Sequence, residues 1–112
     1  MAKLEYTLFG SFDSILNELH RGIMSGSVSA SYEDGSDFYC ENCRCAVRVY
    51  ERYSMIGGNR VSLSLTLFEG SGSVRLSAIS SGGSQAMIFK LNTFGEQAFL
   101  DCVRSIVDRY LR

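Results

Sequence analysis

Residues 61–67, Val61-Ser62-Leu63-Ser64-Leu65-Thr66-Leu67, alternate without exception between aliphatic and hydroxyl side chains. Successive side chains of a strand leave opposite faces, so this segment has one face for a core and one for water, the pattern of an antiparallel sheet. Upstream, the stretch from about Cys43 to Tyr53 is two-faced as well. It carries Cys45, Val47 and Val49 on one side and Arg44, Ala46, Arg48, Tyr50 and Arg52 on the other. The aliphatic side is expected to meet the core and the arginine side the solvent. Gly57-Gly58-Asn59 reads as the turn between the two strands. Downstream, Gly70-Ser71-Gly72 leads into a strand from Val74 to Ile79, and Ser81-Gly82-Gly83-Ser84 into another from Ala86 to Leu91. Linkers this short favour a meander.

Lys3 to Phe9 also alternates, with Leu4, Tyr6 and Leu8 on the core side. Gly10 ends it, and Ser11 or Asp13 can cap a helix whose apolar stripe is Phe12, Ile15, Leu16, Leu19, Ile23 and Met24. Gly22 weakens the last turn of that helix and Ser25-Gly26 stops it. Val28, Ala30 and Tyr32 begin a further strand, closed by a turn at Glu33-Asp34-Gly35-Ser36-Asp37 whose carboxylates read as solvated rather than as calcium ligands. Thr93-Phe94-Gly95-Glu96 reads as a capping box opening a final helix with the stripe Phe99, Cys102, Val103, Ile106, Val107 and Tyr110. The expectation is a single α+β domain over 1–112, two-layered, with an antiparallel sheet of about six strands, both helices on one face, and the order β-α-β(4-5)-α. Parity tests this count. If the first strand pairs antiparallel with the last, an even number of strands must follow the first helix, yet five are counted; either Cys40-Glu41-Asn42-Cys43 interrupts a miscounted strand or the sheet order differs.

A hydrophobic content of 46% with 21% charged residues and a net charge of −1 excludes a disordered tail and a polybasic nucleic-acid binder. The start, Met1 to Tyr6, lacks the apolar run of a secretory signal, and no segment approaches the roughly 20 apolar residues of a membrane span. A cytoplasmic protein without membrane contact is expected.

Three arginines, Arg44, Arg48 and Arg52, recur every fourth residue and leave one sheet face, joined by Arg75 on a neighbouring strand. Guanidinium groups hold phosphate or carboxylate bidentately, and Tyr50 and Phe68 could stack on a ring, so these residues are the candidate ligand-binding set. The plainer reading is a solvated face whose arginines pair with Glu5, Glu51 or Glu69. Cys40-x-x-Cys43-x-Cys45 has the flavour of a zinc site, but Cys102 or His20 would have to complete it. With Cys45 and Cys102 assigned to core faces, inert thiols are expected, and neither a metal nor another cofactor; a Cys40–Cys43 redox pair is the alternative. His20 lies in the first helix without a nucleophile in view, so no catalytic residues are assigned and an enzyme is not expected.

The order of elements resembles the TBP-like and helix-grip group of folds, in which a curved antiparallel sheet wraps a long C-terminal helix. The stretches Ser29-Ala30-Ser31-Tyr32-Glu33-Asp34-Gly35-Ser36 and Arg48-Val49-Tyr50-Glu51-Arg52-Tyr53 are similar to a small family of bacterial proteins of unknown function. The helix-grip resemblance implies an apolar cleft between helix and sheet, bordered here by Tyr6, Tyr32, Leu65, Met87, Phe89 and Phe99. The functional expectation is a non-catalytic binding module for a small apolar molecule or a protein partner, through that groove or the outer sheet face. Homodimerisation is a further use of the face, and binding of an anionic ligand or nucleic acid by the arginines is the alternative.

Overall fold

The computed structural model describes the backbone of residues 1–53, 60–82 and 89–111, and their side chains apart from those of 89–95. The elements run β1 (Ala2–Leu8), α1 (Phe12–Ser25), β2 (Ser31–Cys40), β3 (Cys43–Tyr53), β4 (Arg60–Gly70), β5 (Ser73–Gly82) and α2 (Phe89–Val107), closed by a 3₁₀ turn at Asp108–Tyr110. The strands form one antiparallel sheet in the order β1-β5-β4-β3-β2. Four strands follow α1, so parity is satisfied, with β1 paired antiparallel to β5 from Ala2↔Ser80 to Leu8↔Val74.

One side of the sheet is covered by the helices. In β4, Val61, Leu63, Leu65 and Leu67 are buried, and their cross-strand neighbours Leu76 and Ala78 of β5 join them. Helix α1 brings Phe12, Ile15, Leu19 and Ile23 to this layer and α2 brings Phe99, Leu100, Val103 and Val107. Full burial of such side chains stabilises by about 1.5–3 kcal/mol each. Ser11 caps α1, its hydroxyl accepting from the Ser14 amide at 3.3 Å. Gly22 has a packing role rather than a terminating one: a Cβ there would lie 2.5 Å from Cδ1 of Ile106, so its absence lets the two helices approach. The chain end is fixed by a cluster in which Tyr110 and Arg109 both donate to the Glu18 carboxylate of α1, while Phe9 N–H donates to Tyr110 C=O at 2.8 Å.

Several expectations are corrected. Strand β3 is turned over: its partners across to β4 are Ala46↔Leu67, Arg48↔Leu65, Tyr50↔Leu63 and Arg52↔Val61, so the arginine side faces the helices and Cys45, Val47 and Val49 face outward. The Glu33–Asp37 run is no turn but the middle of β2, which carries a bulge between Tyr32 and Asp34. Gly35 serves close packing there, because a Cβ would sit 2.5 Å from the Tyr32 hydroxyl and 2.7 Å from the Val47 carbonyl oxygen. The hairpin turn falls instead at Glu41-Asn42, between Cys40 and Cys43. The strand read at Ala86–Leu91 is absent in its described part, since α2 already runs from Phe89. With β1 on the outer edge of β5, a sixth strand has no edge there to pair with. Thr93 therefore lies inside a helix, not at its cap, and Glu96 is buried, accepting from the Gly82 amide at 2.6 Å. The turn at Gly57-Gly58-Asn59, residues 83–88 and Met87 among them lie outside the described residues.

The burial pattern yields two expectations. Leu65→Ala should lower stability by about 2–5 kcal/mol in urea unfolding, whereas Val49→Ala on the outer side should cost under about 1.5 kcal/mol; equal losses would mean that β3 faces the other way. Gly35→Ala should destabilise by about 1–3 kcal/mol, because a backbone carbonyl cannot rotate away from the added methyl, and a neutral result would remove the packing argument.

Candidate functional site

Each face of β3 was a candidate, and the two differ in chemistry. On the helix side, Arg44 lies 4.0 Å over the Phe12 ring and 3.1 Å from the Asp13 carboxylate, both of α1. Arg48 donates to the Asp37 carboxylate at 3.1 Å and to the Val47 carbonyl at 2.9 Å. Arg52 sits 4.3 Å over the Phe99 ring of α2. The side chains of Arg44 and Arg48 are 25% and 18% exposed, so their stems cover apolar surface while their cationic heads are already engaged. Glu51 pairs with Arg60 at 2.7 Å rather than with these arginines, and Glu5 with Lys3 at 3.9 Å.

Between Arg48 and Arg52, Tyr50 is wholly buried and its hydroxyl lies 2.8 Å from Nδ1 of His20 on α1. The Tyr32 ring completes the cluster, 5.6 Å from Tyr50 and 5.7 Å from His20. Burial pushes the Tyr50 phenol up to about 12, with Arg48 opposing. A phenol held that high stays protonated at neutral pH, and its hydrogen bond with His20 joins α1 to the sheet. Leu65 and Phe99 of the expected groove are packed at 0–2% exposure, Tyr6 is partly buried against the same core, and Tyr32 lies against Tyr50. The side chain of Phe89 lies outside the described residues. Burial also pushes the Cys102 thiol up, Arg52 opposing, which disfavours the reactive thiolate.

Among the described residues no helix lies on the other side of the sheet. Cross-strand pairing aligns Phe38, Cys45, Phe68, Arg75 and Thr7 in one row across five strands, and Asp34, Val49, Ser64, Ile79 and Lys3 in another. Phe38 and Phe68 are 63% and 42% exposed. Arg75 therefore does not join the other three arginines; it lies on the opposite face, and among the described residues it makes no ion pair. It borders an open concavity of about 740 Å³ with Phe68, Ser73, Cys40 and Cys43. Cys40 and Cys43 are joined as a disulfide across the Glu41-Asn42 turn, with Cα atoms 5.0 Å apart, which corrects the expectation of four inert thiols. Cys45 and Cys102 are free. Cys45 points outward between Phe38 and Phe68, not into the core. Among the described residues no three His, Cys, Asp or Glu side chains gather as a metal site. The sequence signals missed were the His20–Tyr50 pair, whose partners are thirty positions apart, and the outward-facing aliphatic row of β3.

Tyr50 makes stability sensitive to alkali. Its unfolded phenol titrates near 10 and its folded one near 12, so between these values the folded state holds the extra proton. Stability is then full below about pH 10 and falls as pH rises towards 12. Chemical unfolding across that range should show a decline that Tyr50→Phe reduces; the same decline in both proteins would assign it to other groups.

No helix among the described residues is long and apolar enough to cross a membrane. Neither the curated proteins nor the solved structures contain a match to the chain. The model of a family of unknown function, DUF6054, matches residues 1–111, and the chain belongs to that family.

Proposed function

We propose that the protein is a non-catalytic binding module whose working surface is the uncovered face of the sheet. The observation that carries this reading is the polarity of β3, which turns Cys45, Val47 and Val49 away from the helices, with Cys45 between the exposed rings of Phe38 and Phe68. Exposed aromatic and aliphatic side chains gathered on one sheet face mark a surface that a partner covers. The element order β-α-β4-α supports the likeness to TBP-like and helix-grip folds, and a cytoplasmic setting belongs to the same reading. The groove between helices and sheet is the weaker candidate, since Tyr50 and Phe99 fill it.

A second copy of the chain fits this face. The row Asp34, Val49, Ser64, Ile79, Lys3 is self-complementary about the central strand β4. A two-fold axis along β4 sets Val49 against Ile79 of the second copy and Asp34 against its Lys3, with Phe68 meeting its own equivalent. Such isologous matching is what a closed dimer requires, and a net charge of −1 per chain opposes it little. Recognition of an anionic ligand survives in a narrower form, at Arg75 beside Phe68, because Arg44 and Arg48 are held by Asp13 and Asp37.

Sedimentation velocity provides the test. The native chain should associate to a dimer, and Val49→Asp together with Ile79→Asp should return it to monomer without loss of helical circular dichroism. A native protein still monomeric at about 1 mM, where association worth about 4 kcal/mol is visible, would rule out the second copy as the partner.

A further inference from the structure

The disulfide at the β2–β3 turn lies at the rim of the uncovered face, and its surroundings select a chemistry. Cys40 is exposed while Cys43 is half-buried, so an incoming nucleophile reaches the Cys40 sulfur first. The bridge spans only Glu41 and Asn42. A loop so short restricts the unfolded chain little, and the turn is already set by the nine residue pairs between β2 and β3. Stapling the fold is therefore a poor account of it. The concavity that begins at this disulfide continues over Gly70 and Ser73 to Arg75, a cation without an ion-pair partner among the described residues, beside the Phe68 ring. The one other charged side chain lining it is Glu41, in the turn itself. The Arg75 cation draws a carboxylate to the far end, away from Glu41, so a ligand that also carries a thiol presents its sulfur towards the disulfide.

We propose that Cys40–Cys43 is a thiol–disulfide exchange site selective for small carboxylate-bearing thiols, with Arg75 binding the carboxylate. The thiolate of such a molecule attacks Sγ of Cys40; the new sulfur–sulfur bond forms as the Cys40–Cys43 bond breaks, and the electron pair leaves on Cys43 as a thiolate that takes a proton from water. A second molecule of the thiol attacks the ligand sulfur of the mixed disulfide, releasing the ligand's symmetric disulfide and the Cys40 thiolate. Two thiols are oxidised and one protein disulfide is reduced, and the reverse sequence restores the bridge. Arg75 is a positioning residue, acting through the ligand's far end.

The test compares exchange rates with 3-mercaptopropionate and with neutral 2-mercaptoethanol, followed by intact mass and by thiol counting in denaturant. The oxidised chain should titrate as two thiols, Cys45 and Cys102, and the reduced chain as all four. Arg75→Gln should lower the preference for the anionic thiol roughly two- to fivefold at low salt, the range of one partly exposed ion pair, and Arg75→Lys should restore most of it. High salt should erase the native preference in the same proportion. A preference unchanged in Arg75→Gln would overturn the role of Arg75. Four free thiols after equilibration with excess symmetric disulfide of either reagent would overturn the site itself. The rates are taken on the Val49→Asp, Ile79→Asp chain as well as on the native one, because a second copy seated on the face would meet Phe68 and cover Arg75.

Discussion

Everything in this fold follows from the register of β4. Its four aliphatic residues, Val61, Leu63, Leu65 and Leu67, are all at 2% exposure or less, and the period of a strand is two, so a shift of one residue would put every one of them in water. That constraint passes to both neighbours. On the β5 side it selects Leu76 and Ala78 with the buried Ser80, whose hydroxyl donates to the Ser62 carbonyl; on the β3 side it selects the buried Ala46 and Tyr50 but also two arginines, Arg48 and Arg52. The sheet accepts arginines under its helices because the helices and β2 supply what an arginine needs. Rings at Phe12 and Phe99 receive the guanidinium planes, and Asp13 and Asp37 neutralise two of the charges.

This exchange explains why the face of β3 was misread while that of β4 was not. An alternation of Val and Arg is resolved by hydropathy in one direction only, with the aliphatic side inward, and the rule fails where long cationic side chains lie flat on aromatic surface. Both helices and their stripes were legible, since Ile15, Leu19, Phe99, Val103 and Val107 keep one period over several turns. Short apolar runs were not: Ala86 to Leu91 suits a strand or a helix equally, and its described part, from Phe89, is helix, with the outer edge of β5 taken by β1. The capping box at Thr93–Glu96 failed for the same reason, as a local signal inside a helix that long-range pairing had already begun.

Of the candidate site, the residue types were legible but their grouping was not. Arg44, Arg48 and Arg52 do share a face, yet Arg75, three strands of the register away from β2, emerges on the other. Grouping depends on which way each strand is turned, and that is settled by packing at positions far away in the chain. The His20–Tyr50 hydrogen bond shows the limit plainly, because nothing near either residue announces the other.

The acidic run in β2 has a meaning beyond its hydrogen bonds. β2 is an outermost strand, and the side of it turned away from β3 offers unpaired backbone groups to any extended chain that comes near. Glu33 and Asp34 load that edge with like charge, Asp37 being held by Arg48, and the bulge between Tyr32 and Asp34 spoils its flatness. Two copies meeting edge to edge would bring acids against acids on a ladder that is out of step, the devices by which natural sheets resist lateral growth. The rim at β2 is thereby guarded against lateral pairing of one copy with another, while the broad side of the sheet is left open among the described residues.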